Sequence, residues 1–551
     1  MPTIDFSKKD LESLLGKNLT TEQLENSLMY VKGEIDAIEG DKIKADVKET
    51  LRPDVWSAEG IAREILARTG FEKGLPKYKV AAAKVSCTIE QSVEKVRPFI
   101  ACAIIRNVKV TEELLLQTIQ LQEKVGTTFG RKRKEAGIGL YDFDKMKAPI
   151  YYRGYKDNEI EYVPLEFKAK MRPSEILTQH PKGREFGHLL KGSDRYPIVI
   201  DSAGTVASMP PIINSETTGK VSEKTKNIFI ESTGYNWEKV NVALKVMCMA
   251  LADRGGKIEA VKIKFPKTKT YPKAPIETPF FNTKKIECDI DYIKKISGLE
   301  LTDSEIISLL QKARYEVKKS GKKLKLQYPD FRNDIMHPVD VVEDVLIGYN
   351  YNKIRPVRPK MSVTGEQRAQ TSYLDKVRDA CIGLSLQEVL TFNLTSKEKQ
   401  QKMVELSGEE FVEIANPVSA NWSILRKNIY PELLEFLSKN KNVEYPHKIF
   451  EVGKTLSLDA NSDTKTKEKN VLCVALAGKG YGYTLIKSIF EALCRELGKK
   501  CTLKESAHPT FKEGRRAQIL GECSGFLGEI SEKVQANFGL EQPIIVLEME
   551  I

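Results

Sequence analysis

The spacing of apolar residues changes several times along this chain, which predicts a mixture of helices and strands. Segment 52–70 places Ile61, Ile65 and Leu66 on one stripe at helical spacing and ends at Gly70. Segment 236–256 is also helical in pattern, and the strand-like run KIEAVKIKF follows it. The run IIVLEMEI predicts a strand near residue 551. This alternation predicts an α+β or mixed α/β fold class, in several domains.

Three stretches rich in proline or basic residues, 76–85, 265–280 and 355–360, interrupt these patterns and mark candidate boundaries. The length of 551 residues suits three to five domains at about 100–200 residues each. We predict an N-terminal mixed module at 1–85, a mixed-sheet module at 86–270, a small helix-rich module at 271–360 and a final domain at 361–551.

Composition narrows the class of protein. Hydrophobic residues make up 41% and charged residues 30%, which excludes a mainly disordered chain. The net charge of +11 fits an anionic partner such as nucleic acid, and it equally fits ordinary solubility. The nine cysteines are scattered without a C-x-x-C pair, so we expect neither a disulfide framework nor a zinc ribbon. No apolar run approaches the roughly 20 residues of a membrane span, and we expect a cytoplasmic protein.

Four acidic residues form the first candidate site. Asp340, Glu343 and Asp344 follow Pro338 at spacings that place their carboxylates on one helix face, and Asp334 lies in the preceding turn. Hard oxygen ligands clustered in this way suit Mg²⁺. Acidic residues at a helix start also stabilise the helix dipole without any metal, and the spacing alone does not separate these two interpretations.

Two further segments have polar residues at informative places. The strand-like run IFIESTG carries Glu231 and Thr233 at its end, where such a pair is either a binding site or a turn with satisfied hydrogen bonds. The basic run GRKRKEAGIG at 130–139 is either a contact for a phosphate backbone or a solvated charged surface. The sequence contains no standard nucleotide-binding motif.

Several segments together resemble the β subunit of phenylalanyl-tRNA synthetase in its archaeal and eukaryotic form. The matching segments, in chain order, are LRPDVWSAEGIARE, RPFIACAIIRNV, GRKRKEAGIGLYDFDKM, MPPIINSETTGKV, DFRNDIMHPVDVVEDVLIGYNY, NPVSANWSILRKNIYPELLEFLSKNKN and KIFEVGKTL. The resemblance implies that 86–270 is a tRNA-editing module, 271–360 a magnesium-associated module and 361–551 a degenerate class II synthetase-like domain built on an antiparallel sheet.

The resemblance also implies partners and a cofactor. Asp334, Asp340, Glu343 and Asp344 match the family's Mg²⁺ pattern. Arg426 lies in a remnant of the second synthetase motif, but no glycine-rich arginine motif follows it, so no residue is predicted to catalyse synthesis. ATP and phenylalanine would then bind to an α subunit in an (αβ)₂ heterotetramer that charges tRNA(Phe).

The editing activity implied by the resemblance has a physical motive. A pocket that selects phenylalanine by apolar contact rejects tyrosine, which adds only a hydroxyl, by only about 10²-fold. A second pocket must recognise the phenol and hydrolyse the wrong ester. The resemblance assigns Glu231 and Thr233 to this recognition, with Ser208 and Val199 as walls. Two alternatives stay open: a purely structural assembly subunit with a decayed editing pocket, and a free-standing editing or tRNA-binding protein.

Overall fold

The computed structural model describes residues 2–551, which divide into two compact units at the boundary between Val357 and Arg358. The fold is mixed α+β with several domains, as predicted. Every helix within residues 2–551 is too short or too polar to cross a membrane.

The first unit begins with a three-stranded antiparallel sheet of strand order β1-β3-β2, against which three helices pack. The elements are β1 Thr3–Ser7, α1 Lys8–Leu15, α2 Thr21–Leu28, β2 Gly33–Glu39, β3 Lys42–Val47 and α3 Ala58–Thr69. The predicted helix in segment 52–70 is α3. The Ser57 hydroxyl caps its N-terminus by accepting from the Gly60 N–H, and Gly70 ends it at φ +91°.

The middle of this unit is a mixed ten-stranded sheet with strand order β10-β9-β8-β7-β4-β12-β5-β11-β6 and β13 beside β12. The strands are β4 Val80–Ile89, β5 Phe99–Arg106, β6 Gly137–Asp142, β7 Ile150–Tyr155, β8 Tyr196–Asp201, β9 Val206–Met209, β10 Ile213–Asn214, β11 Ile228–Gly234, β12 Lys257–Lys264 and β13 Ile276–Thr278. The helices are α4 Glu112–Lys124, α5 Pro173–Gln179, α6 Pro181–Phe186 and α7 Trp237–Asp253.

Two predicted boundaries fall inside this sheet. Strand β4 begins at Val80, before the predicted start at 86, and β13 lies beyond the predicted end at 270. The proline-rich stretch 265–280 is predicted to be a domain boundary. Its last part instead forms β13, Ile276–Thr278, which pairs with β12. Proline content marked a turn here and not the end of the module.

The last part of the first unit packs three helices on a three-stranded antiparallel sheet of order β14-β16-β15. Its elements are β14 Thr283–Asp289, α8 Ile290–Ser297, α9 Asp303–Lys312, β15 Glu316–Ser320, β16 Lys323–Pro329 and α10 Pro338–Tyr349. Helix α9 begins with a capping box, in which Thr302 and Glu305 satisfy each other's backbone N–H groups.

The second unit contains a seven-stranded sheet of order β17-β20-β21-β25-β24-β23-β22, antiparallel except between β17 and β20, and a separate β18-β19 pair. Its elements are α11 Ala369–Gly383, β17 Gln387–Glu388, β18 Leu394–Thr395, β19 Ile424–Leu425, α12 Tyr430–Lys439, β20 His447–Leu458, β21 Thr466–Ala477, α13 Tyr483–Glu496, β22 Cys501–Glu505, β23 Phe511–Gly521, β24 Gly525–Ile530, α14 Glu532–Asn537 and β25 Ile544–Glu550. Helices α11 and α13 cover one face, and α12 and α14 cover the other.

Candidate functional site

The ten-stranded sheet curls until strands from its two ends meet. Asn214 on β10 donates a side-chain hydrogen bond of 3.1 Å to the carbonyl of Leu140 on β6, the strand at the opposite end. The hydroxyl oxygens of Tyr141 on β6 and Ser208 on β9 lie 2.7 Å apart. Beside this seam is a cavity of about 510 Å³, within the range of small-molecule sites.

Glu231 contributes a buried carboxylate to the cavity wall. It lies on β11 between β5 and β6, opposite Cys102 and Gly139, and is 3% exposed. Its Oε1 lies 3.0 Å from the Tyr141 hydroxyl, whereas its Oε2 has no hydrogen-bond partner among residues 2–551. The Tyr141 phenol lies within donating distance of both Ser208 Oγ and Glu231 Oε1, and its single proton is donated to one of them at a time. A buried acceptor without a partner is rare in native proteins.

The electrostatics of Glu231 are unusual for a glutamate. Burial raises the pKa of its carboxyl to about 7, although the hydrogen bond from Tyr141 and the charge of Arg97 both act to lower it. Glu231 therefore changes charge near neutral pH, which is typical of functional carboxylates.

Gly139 makes the close approach of Tyr141 and Glu231 possible. A Cβ atom at position 139 would lie 2.2 Å from the Tyr141 hydroxyl oxygen and 2.7 Å from Glu231 Oε1. Only a residue without a side chain fits there. The phenol and the carboxylate therefore occupy the volume that any other residue at position 139 would require.

Thr233 also lines the cavity, and Arg97 fixes its position. The Arg97 Nε donates to Thr233 Oγ1 at 2.9 Å, and its Nη2 donates to the Thr233 carbonyl. The same Nη2 reaches the carbonyl of Arg133 at 2.9 Å. Arg97 thus joins the end of β11 to the basic loop before β6.

Val199 differs from its predicted place in the pocket wall. Its side chain is fully buried in the core with Tyr152 and Ala207, and it is not among the residues that line the cavity. The reason is the strand order, because β8 lies one strand farther from the seam than β9, which carries Ser208. Ser208, Glu231 and Thr233 do share the cavity.

Sequence reasoning missed Arg97, Gly139 and Tyr141. Gly139 and Tyr141 belong to the quoted segment GRKRKEAGIGLYDFDKM, but nothing in that segment points to Glu231, 90 residues farther along the chain. Only the strand order places these residues together.

The four acidic residues line one narrow cleft in the first unit, with a volume of about 20 Å³. Asp344 is 3% exposed. Its Oδ1 accepts from Arg68, and its Oδ2 accepts from Arg332 and from the Tyr315 hydroxyl, both at 2.8 Å. Burial alone would raise the pKa of Asp344, but the charges of Arg332 and Arg68 hold it well below its usual range.

The other three acids also have partners within the chain. Asp334 accepts from the Arg332 Nε at 2.8 Å. Asp340 accepts from the backbone N–H groups of residues 336 and 337, at 2.7 and 2.6 Å, and so caps the start of helix α10. Glu343 lies 2.8 Å from the Lys32 ammonium.

These contacts test the fit of a Mg²⁺ ion. Magnesium demands oxygen ligands in near-octahedral geometry. Each of the four carboxylates instead faces a cation or backbone N–H groups, and no three His, Cys, Asp or Glu residues within 2–551 are grouped to hold a metal ion. As arranged, the four residues fit ion pairing and do not fit a Mg²⁺ coordination shell.

Comparisons with known proteins identify the family. The family model described as "Phenylalanyl tRNA synthetase beta chain CLM domain" matches residues 354–551, and "tRNA synthetase B5 domain" matches 286–351. The chain is 48% identical over 555 residues to a phenylalanine–tRNA ligase beta subunit from Pyrococcus horikoshii, covering 100% of this chain and 99% of that one. It is 46% identical over 570 residues to the Thermococcus kodakarensis subunit, covering 100% of this chain and 98% of the other.

A solved structure agrees with these matches. It is an N-terminal fragment of the Pyrococcus horikoshii phenylalanyl-tRNA synthetase β-subunit, 49% identical to this chain at a TM-score of 0.61. The match covers 64% of this chain and all of the fragment. By sequence over its full length and by fold over its first part, the chain belongs to the family of phenylalanine–tRNA ligase β subunits.

Proposed function

We propose that the chain is the non-synthetic subunit of an (αβ)₂ phenylalanine–tRNA ligase in the cytoplasm, and that its cavity hydrolyses tyrosyl-tRNA(Phe). The α subunit binds ATP and phenylalanine. The observation that carries the editing proposal is the buried Glu231, which lines a cavity of about 510 Å³ and whose Oε2 has no hydrogen-bond partner among residues 2–551.

A phenol suits this unpaired oxygen. The tyrosine hydroxyl would donate to Glu231 and satisfy it, whereas a phenylalanine ring would leave the carboxylate buried and unpaired. Leaving a buried charged group without a partner costs more than a neutral hydrogen bond contributes. Recognition by this asymmetry supplies the selectivity that an apolar pocket lacks.

Hydrolysis does not depend on a histidine base here. His180 is the histidine that lines the cavity. Its Nδ1 accepts from the Lys182 N–H at 3.1 Å, and its Nε2 lies 3.2 Å from the Leu165 carbonyl. Both ring nitrogens are therefore used by the fold. A water molecule positioned by backbone groups and by the terminal hydroxyl of the tRNA is left to attack the ester.

The contacts of Arg426 in the second unit support the proposal that this chain does not itself activate phenylalanine with ATP. Arg426 is 1% exposed and forms an ion pair of 2.7 Å with Glu451. It also donates to the Thr391 hydroxyl at 2.8 Å and the Lys454 carbonyl at 3.0 Å. An arginine with its donors used inside the fold is not available to a triphosphate. The resemblance assigns Mg²⁺ to the acidic cleft, and this stays a prediction.

The test replaces Glu231 with alanine in the assembled ligase and compares deacylation of tyrosyl- and phenylalanyl-tRNA. Loss of a charged hydrogen bond of about 1.5–3 kcal/mol predicts roughly 10–150-fold slower hydrolysis of the tyrosyl ester. Charging with phenylalanine should be unchanged, since synthesis takes place on the α subunit. Glu259→Ala is the matched control, because Glu259 is a buried carboxylate of the same sheet that pairs with Arg106 outside the cavity.

The outcomes separate the rival functions. Equal losses for both esters would assign Glu231 to the fold of the pocket. A wild-type ligase without deacylase activity would indicate a structural subunit with a decayed pocket. Full deacylation by the chain without its α subunit would favour a free-standing editing protein.

A further inference from the structure

The basic loop before β6 has a left-handed backbone at three consecutive residues. Arg131, Lys132 and Arg133 have φ angles of +49°, +53° and +64°. Such angles are uncommon for residues with side chains and rarer still in succession. Backbone hydrogen bonds hold them in place, from Lys132 N to the carbonyl of residue 127 at 2.8 Å and from Arg133 N to that of residue 126 at 2.7 Å.

Glycine would adopt this conformation at a lower conformational cost, so these three side chains need a reason to be present. The fold supplies one for Arg133, whose Nη1 donates to the carbonyls of Pro211 and Ile212 at 3.0 and 3.1 Å. Arg131, Lys132 and Lys134 point into solvent, and within residues 2–551 no carboxylate lies within ion-pair distance of them. Their charges are therefore not neutralised by ion pairs within residues 2–551.

The lysines that line the cavity, unlike the exposed cations of the loop, are paired with carboxylates. Among the lysines that line the cavity, Lys182 lies 3.4 Å from Glu123 and Lys220 lies 3.5 Å from Glu216. The positive charge that is left uncompensated beside the cavity is therefore concentrated in the loop.

The loop is fixed to the cavity on both sides. Arg133 and Gly137 line the cavity directly. Arg97 donates to the carbonyls of Arg133 and Lys134 while it also holds Thr233 at the cavity wall. The backbone that carries the three exposed cations is thus tied to the wall that carries Thr233.

We propose that Arg131, Lys132 and Lys134 bind phosphates of the single-stranded 3′ end of tRNA and deliver its terminal ester to the cavity. This inference rests on the proposed editing function. The ester substrate is attached to a chain with one negative charge per nucleotide, so cations fixed at the cavity rim meet phosphates a few nucleotides from the ester. Binding through phosphates also predicts that the loop does not distinguish tyrosyl- from phenylalanyl-tRNA.

The test combines Arg131→Gln, Lys132→Gln and Lys134→Gln in the assembled ligase. A fluorescent RNA hairpin with an unpaired 3′-ACCA end reports affinity by anisotropy as a function of salt. We expect the triple variant to bind the hairpin about tenfold or more weakly. The slope of log K against log salt should become shallower by about 2, because each of the three lost phosphate contacts contributes about 0.7 to it. The control is Lys267→Gln, Lys269→Gln and Lys273→Gln, which removes the same charge from exposed lysines that do not line the cavity.

Deacylation kinetics provide the second readout. We expect the loop variant to raise KM for tyrosyl-tRNA and leave kcat unchanged, and to hydrolyse a tyrosyl ester of adenosine, which has no phosphates, as fast as wild type. Unchanged hairpin affinity, or a loss equal to that of the control, would overturn the proposal. Failure of the wild type to hydrolyse either ester would instead contradict the editing function, while the hairpin measurement would still decide the role of the loop.

Discussion

Glu231 and Asp344 are both about 3% exposed, yet their surroundings are opposite. Asp344 is enclosed by Arg68, Arg332 and the Tyr315 hydroxyl, and the two arginine charges lower its pKa. Glu231 receives a hydrogen bond on one oxygen, has no partner for the other, and has a pKa raised by burial to about 7.

The comparison indicates that the Asp344 carboxylate stabilises the fold, whereas the Glu231 carboxylate is available to a ligand. Asp344 joins α10 to α3, because Arg68 belongs to α3 and also bonds the Asp344 carbonyl at 2.8 Å. Removing it would leave two buried arginines partly unpaired. Glu231 lacks a full set of partners and lies on a cavity wall, so its unmet hydrogen bond is available to a substrate.

The largest expected effect is on stability. Asp344→Ala should lower the free energy of unfolding by up to about 3–5 kcal/mol, because it removes one of the two carboxylates paired with each of two buried arginines. Arg68 would keep only Glu64, and Arg332 would keep only Asp334. Denaturant unfolding of the purified chain measures this. Glu343→Ala is the control on the same helix; its side chain is 45% exposed, and its pair with Lys32 should contribute less than about 1 kcal/mol.

The same experiment tests the metal prediction. If the arginines neutralise Asp344, chelation with EDTA leaves the unfolding free energy of the wild type unchanged. A loss with EDTA as large as that from Asp344→Ala, restored by added Mg²⁺, would show that a metal ion and not the arginines holds the cleft together.

A smaller effect is expected at Val199. Val199→Ala removes two buried methyl groups and should cost about 1.6 kcal/mol of stability, at about 0.8 kcal/mol each. The ratio of tyrosyl to phenylalanyl deacylation should not change, since Val199 lies in the core outside the cavity. A changed ratio of tyrosyl to phenylalanyl deacylation, with normal stability, would indicate that Val199 contacts the substrate in the pocket. Denaturation and deacylation assays on the same preparation measure both quantities.

Local signals in the sequence predicted many elements but few contacts. Gly70 ends α3 as expected, because caps and periodicity depend on neighbouring residues. The partner of Asp344, Arg68, lies 276 residues away, and no periodicity connects the two. Spacing thus placed the acids on one helix face but did not show that arginines from other elements neutralise them.

The editing candidates show the same limit. Glu231, Thr233 and Ser208 were assigned by resemblance, and the cavity brings them together. The placement of Tyr141 and Gly139 depends on the curling of a ten-stranded sheet, and the strand order puts Val199 in the core outside the cavity.

If the ionised Glu231 accepts a hydrogen bond from the tyrosine phenol, the selectivity for the tyrosyl ester should depend on pH. Burial raises the pKa of Glu231 to about 7, so the carboxyl is protonated below that pH and ionised above it. Deacylation of tyrosyl- and phenylalanyl-tRNA by wild type and Glu231→Gln ligases should be measured from about pH 5.5 to about pH 8.5. The tyrosyl-to-phenylalanyl ratio should rise through about pH 7 in the wild type and stay flat in the variant. The same rise in both enzymes, or a flat ratio in both, would contradict the proposed role of Glu231.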